Sequence, residues 1–198
     1  MPFYDSIALD LVGYDAIIIG NHDFDFGPEV LADFITGFGS FNPPPPFLSA
    51  NLDFSAEPEL QALVDGGRIA ASTTVDACGR QVGIVGATTP ALPFISSPRD
   101  VEVDPDVTAA AQMAINELTA DGVNFIIFVS HLKSIQEDLA LVPTLGRVDV
   151  AIAGGGDQLL ASPDDLLVPG DEGEVFGEYP LSTTNAEGDH VPVLTHQQ

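Results

Sequence analysis

Basic residues are what this sequence has least of: five Lys and Arg stand against 30 Asp and Glu, a formal net charge of −25 at pH 7. A surface of that sign repels phosphate backbones and anionic lipid, so neither nucleic-acid nor membrane-surface binding is expected. Cysteine is nearly absent too. Cys78 is the single one, so no internal disulfide can form, and without Cys pairs or Cys–His spacings a structural zinc site is not expected. Cys78 itself falls in the turn Ala77-Cys78-Gly79-Arg80 and reads as incidental. No apolar run approaches the roughly 20 residues needed to cross a bilayer. The first residues show no basic n-region and no long apolar h-region, so no signal peptide is expected within them. What is present is a globular composition: 198 residues, 45% hydrophobic and 18% charged. That suffices for one domain with a sizeable core. An acidic, Lys-poor surface also suits a salty environment.

The chain is organised around Tyr14 to Gly27, YDAIIIGNHDFDFG. The apolar run Ala16 to Ile19 looks like a buried parallel strand. Gly20 lets the backbone turn at its end, delivering Asn21, His22, Asp23 and Asp25 at the strand's carboxyl end. Open α/β sheets place ligands there. Asn21 offers a neutral oxygen donor, and His22 an imidazole that titrates near neutral pH. Asp25 can accept a hydrogen bond from that ring and fix its tautomer. The plainer reading is an Asx-rich turn capping the next helix.

Elsewhere the pattern alternates strand and helix. Asp5 to Val12 reads as a short helix, and Pro28 opens another whose stripe is Val30, Leu31, Phe34 and Ile35. Four prolines between Phe41 and Phe47 form a stiff connector. Phe47 to Asn51 is the next buried strand, with Asn51 at its polar end. Glu57 to Gly67 reads as a loose surface segment, and Ile69 to Val75 with Gln81 to Val85 as a hairpin around Cys78-Gly79. Gly86 to Pro90 is either a loop bordering a site or an ordinary strand exit. Asp104 as N-cap and Pro105 at the first helical position start a helix to about Ala120, buried through Val107, Ala110, Ala111, Ala114 and Leu118, with Gly122 closing it. A strand over Val123 to Val129 leads into Ser130-His131, a helix covers Ser134 to Leu141, and a strand over Val148 to Ala153 ends in Gly154-Gly155-Gly156-Asp157-Gln158. A last strand lies near Val191 to Leu194. This is an α/β pattern. Asn21-His22, His131 and Asp157-Gln158 all stand at strand ends, which one sheet would bring together.

Gly20-Asn21-His22-Asp23-Phe24-Asp25 closely resembles the signature of the calcineurin-like metallophosphoesterases, most closely their 5′-nucleotidase branch. The resemblance implies a layered β-sandwich flanked by helices, here lacking its N-terminal strands, so that residues 1–198 form one partial catalytic domain. It assigns metal binding to Asn21, action on the scissile phosphate to His22, and orientation of His22 to Asp25. A lone His after a strand is by itself more often a hydrogen-bonded structural residue, but Ser130-His131 followed by the glycine cluster matches the family's order, and the resemblance implies that His131 is a metal ligand. The cluster departs from the family, in which two glycines precede a His, a spacer, and a His or Gln. Gly156 stands in the first ligand position, Gln158 keeps the last as a candidate metal ligand, and Asp157 is a possible substitute carboxylate. A turn without any metal role is the alternative.

The family's upstream Asp-x-His and Gly-Asp-x-x-Asp/Asn motifs are not among the 19 residues before Gly20, and His190 and His196 stand too far downstream to replace them. The implied activity is hydrolysis of a small phosphate ester, a nucleotide in the first place. Two divalent cations such as Zn or Mn would generate a shared hydroxide nucleophile. The cations would also reverse the repulsive field of so acidic a chain. A periplasmic or extracellular location is implied in the same way. The rival readings are a non-catalytic binding protein of the same fold and an inactive gene fragment.

Overall fold

The computed structural model describes residues 3–195. Helix α1 (Tyr4–Val12) ends at Gly13, whose left-handed φ of 78° turns the chain into β1 (Ile17–Ile18). The carboxylate of buried Asp10 accepts from the amides of Gly39, Ser40 and Phe41, tying α1 to the loop after the next helix. Burial alone would raise this carboxyl, but those amides outweigh it and hold it below its ordinary value. A 3-10 turn over His22–Phe24 follows β1, then α2 (Pro28–Thr36) with Pro28 in its first turn. Strand β2 (Phe47–Leu48) pairs in parallel with β1 and with β4 (Ile69–Ala70), giving a small sheet ordered β1-β2-β4. Between them lie β3 (Leu52–Asp53) and α3 (Pro58–Asp65).

Helix α3 replaces the loose segment expected over 57–67. Pro58 sits in its first turn, buried Leu60 anchors it, and it packs on α2. Its apolar face is short, so one buried Leu and tertiary packing carry it, not periodicity.

The larger sheet has six strands ordered β12-β13-β9-β8-β6-β5. Strands β5 (Ser72–Ala77) and β6 (Arg80–Thr88) form the expected hairpin, with Cys78 and Gly79 in its turn at φ of 57° and 83°. After β6 come α4 (Leu92–Ile95) and β7 (Glu102–Val103), which pairs with β3. Helix α5 (Val107–Ala120) is capped by Asp106, whose side chain accepts from the Ala109 amide. The cap therefore lies two residues beyond Asp104, which instead accepts from the Asp106 amide and shapes the entry turn. Strand β8 (Ile126–His131) begins three residues later than the apolar run because Val123 and Asn124 close the helix exit; the Asn124 side-chain Nδ2 donates to Gly122 O. Then follow α6 (Ile135–Leu141), capped by Ser134, and β9 (Val150–Ala153). The rest of the chain forms β10 (Leu159–Leu160), β11 (Val175–Gly177), β12 (Leu181–Thr184) and β13 (His190–Thr195).

Two cores result. One lies against the large sheet, where Ala111, Ala114, Ile115 and Leu118 of α5 meet Val85, Ile126 and Phe128. The other lies against the small sheet, where Leu31 and Ile35 of α2 and Leu60 of α3 meet Phe47 and Ile19. Phe38 stacks edge-on against Phe47 there, with ring centroids 5.4 Å apart. The two sheets meet where β2 passes β6: the Ala50 amide donates to Gly86 O, and a Cβ on Gly86 would lie 2.6 Å from Leu48 O. Only glycine permits that approach.

Candidate active site

The carboxyl ends of β1 and β8 come together across this junction. β8 runs parallel to β6 and β9, so His131 stands opposite Thr88 in register, and the β1 tip closes over both. Gly20 makes the closure possible, because a Cβ there would fall 2.7–2.8 Å from three atoms of the His131 ring. The imidazole thus lies on bare backbone. From that position His131 Nε2 is 3.0 Å from Asn21 Oδ1. Asn21 and His131, 110 residues apart in sequence, are brought into contact.

His22 leaves the same tip in the 3-10 turn. Its Nδ1 is 2.7 Å from Asp25 Oδ2, so a proton on Nδ1 is held by the carboxylate and Nε2 is left for other chemistry. The hydrogen bond to Asp25, then its charge, raises the His22 pKa above its ordinary value. The same bond, helped by Ser96, lowers that of Asp25. Ser96 Oγ donates to Asp25 Oδ1 at 2.9 Å; no spacing in the sequence links Ser96 to the signature, since it arrives from beyond α4. Asp23 turns inward and accepts from the Gly20 amide at 2.7 Å, and burial raises its carboxyl. Asp23 is therefore the brace of the turn.

His22, His131, Gly20 and Asp23 line one cleft of about 380 Å³ whose other wall is apolar, with Ile18, Phe26 and Phe34. Gln158 stands apart from the Asn21–His131 pair in its bonding: its Oε1 accepts from the Ile135 amide at 3.1 Å, at the start of α6. Gly155 and Gly156 explain that arrangement. A Cβ on Gly155 would overlap Leu132 O at 1.7 Å, and one on Gly156 would sit 2.3 Å from Gln158 Oε1. The glycine run is thus folded down onto the β8–α6 connection.

Two donors bound to one ion at about 2.1 Å are about 3.4 Å apart at the tetrahedral angle usual for zinc, and about 3 Å apart at the 90° angle of an octahedral shell. Asn21 Oδ1 and His131 Nε2 meet that spacing, and an oxygen–imidazole set suits zinc or manganese. The pair fits as part of a coordination shell. Among the described residues no three His, Cys, Asp or Glu side chains converge to complete one.

No protein-family model matches the chain. It is 32% identical to a 5′-nucleotidase of Mus musculus over 94% of its own length and 30% of the relative's. Among solved structures, a 5′-nucleotidase precursor of Thermus thermophilus superposes with a TM-score of 0.78 and 39% identity, over 93% of this chain and 33% of that one. The NAD nucleotidase of Haemophilus influenzae gives a TM-score of 0.76 and 27% identity, over 96% and 32%. The chain thus spans about a third of the length of the relatives it matches. The α/β architecture and the resemblance carried by residues 20–25 are both borne out.

Proposed function

We propose that this chain, similar to 5′-nucleotidases along nearly its whole length, is part of a catalytic domain that hydrolyses a nucleotide phosphomonoester. The observation that carries this reading is the meeting of Asn21 Oδ1 and His131 Nε2 at 3.0 Å, with His22 in the same cleft. Bound divalent ions would supply Lewis-acid activation of water and neutralise phosphate charge. Asn21 and His131 would hold one such ion, and Gln158 would join them by releasing the Ile135 amide. The shell would be completed by donors outside the described residues. Asp25 keeps a proton on His22 Nδ1, so that His22, when charged, presents Nε2–H to the phosphoryl group. That proton stabilises the oxygens in the transition state or passes to the departing alkoxide. Ser96 steadies Asp25. An exported location is part of the same proposal, in keeping with the Thermus relative's description as a precursor.

The test is turnover of AMP and p-nitrophenyl phosphate in added Mn²⁺ or Zn²⁺. The expected result is measurable hydrolysis that falls about 10²–10³-fold in His22→Ala, with metal content by elemental analysis lowered in Asn21→Ala, His131→Ala and Gln158→Ala. A second reading has its own observation. Gly156 has no side chain where the family places a ligand, and among the described residues no three-residue cluster forms. Both favour a non-catalytic binding protein of the same fold. Absence of turnover with tight metal-independent binding of AMP would select it.

A further inference from the structure

The junction between the two sheets contains a buried polar network that neither sheet needs for its ladder. Thr88, Ser49 and Asn51 are 0%, 4% and 2% exposed. Asn51 clasps Thr88 on both sides: its Oδ1 accepts from the Thr88 amide at 2.9 Å and its Nδ2 donates to Thr88 O at 2.9 Å. Thr88 Oγ1 donates to Ile19 O at 2.6 Å. A carbonyl can only accept, so the one hydroxyl proton of Thr88 is committed there. Ser49 is then the donor in its 2.8 Å contact with Thr88 Oγ1, and it shares the same hydroxyl proton with Asn51 Oδ1 at the longer distance of 3.2 Å. Every polar atom of the Thr88 side chain and backbone is thereby accounted for. Such a fully satisfied network fixes geometry where an apolar contact would permit sliding.

What it fixes lies on both sides of Thr88. Ile19 O is the last carbonyl before Gly20 and Asn21. On the other side Thr88 is in register with His131, and the next amide, Thr89 N, donates to His131 O at 3.0 Å. We propose that Thr88 is a positioning residue: clasped by Asn51 and Ser49, it locks the end of β1 to the end of β8 and so sets the separation of Asn21 Oδ1 and His131 Nε2. Its functional meaning rests on the reading of that pair as metal donors, but its geometry does not.

The experiment uses the full chain with three variants. Thr88→Val keeps the shape and removes the hydroxyl, Thr88→Ser keeps the hydroxyl, and Ser49→Ala removes one supporting donor. Two quantities are read: the His131 ring ¹⁵N resonances of the metal-free protein, and the Mn²⁺ dissociation constant by calorimetry. Expected is a Thr88→Val spectrum in which His131 shifts as it does in Asn21→Ala, with Mn²⁺ affinity at least about tenfold lower. Thr88→Ser should stay within about threefold of wild type on both counts, since only its methyl is lost. Ser49→Ala should shift His131 in the same direction by less, and it decides the matter if Thr88→Val does not fold. As a stability control, Ile115→Val in the α5 core should lower the melting temperature without moving either readout. A wild-type His131 spectrum in both Thr88→Val and Ser49→Ala overturns the proposal, as does an equal shift in Ile115→Val. If Asn21→Ala and His131→Ala leave Mn²⁺ binding unchanged while Thr88→Val still moves the His131 resonances, the positioning stands and the metal reading fails.

Discussion

Asp25 divides its two oxygens between His22 and Ser96, and its bond to His22 raises the pKa of the exposed imidazole. Replacing it by Asn keeps the shape and removes the charge. The His22 titration midpoint, followed by its ring-proton resonance, should fall in Asp25→Asn toward the ordinary histidine value, because the stabilisation of the charged ring is gone. A midpoint that stays put would mean that the 2.7 Å contact does not govern the ring. Gly20 makes a different kind of demand. A Cβ at 2.7–2.8 Å from the His131 ring cannot be accommodated unless that ring leaves Asn21. Gly20→Ala should therefore cost about 1–3 kcal/mol in chemical denaturation and release the His131–Asn21 bond. Retained stability with an unmoved His131 spectrum would contradict the cradle. The residues that carry the signature are legible in sequence because their spacing is local. Ser96 is not, because nothing in the chain between Asp25 and Ser96 marks their encounter.

Secondary elements are legible where a cap or an apolar stripe announces them. Helix α2 begins at Pro28 as expected, and α5 buries the predicted face through Ala110, Ala111 and Ala114. Helix α3 escapes a reading by periodicity because its burial rests on Leu60, too thin a signal to distinguish it from a loop. Helix α6 hides a further feature. Asp138 points from its first turn into the core, where Ser130 Oγ donates to its Oδ1 while Oδ2 is buried without a protein partner. Burial raises its pKa from 3.8 to about 7. Between those values the folded chain holds a proton that the unfolded chain has lost, so stability falls as pH rises from about 4 to about 7. Above pH 7 the full penalty applies, on the order of 4 kcal/mol. Asp138→Asn should flatten that slope and melt higher than wild type at about pH 8. Parallel melting curves for the two proteins across about pH 4 to 8 would show that Asp138 does not titrate in this window.

At the scale of the molecule, alternation of strand and helix is enough to read an α/β fold, and sheet order is not. That β1 joins a separate three-stranded sheet, while β6, β8 and β9 build the larger one, depends on Gly86 admitting Leu48 at close range and on the Asn51–Thr88 clasp. Both are contacts between residues about 37 positions apart. The site inherits this division, since Asn21 follows a strand of one sheet and His131 ends a strand of the other. Holding them together is a task for the whole fold, and the fold carries a net charge of −25. Such self-repulsion disfavours the compact state, and only five basic residues are present to offset it. Two side-chain ion pairs are found among the described residues, His22–Asp25 and Arg99–Glu29, both exposed and of small value to stability. Added salt therefore screens far more repulsion than attraction, because the Debye length shrinks from about 10 Å at 0.1 M to about 3 Å at 1 M. The melting temperature in NaCl should rise by several degrees across that range. Mn²⁺ at millimolar concentration should exceed the effect of NaCl at equal ionic strength in wild type but not in His131→Ala, because only site binding adds to screening. A melting temperature that falls with NaCl would mean that local ion pairs, and not the net charge, govern the electrostatics of this chain.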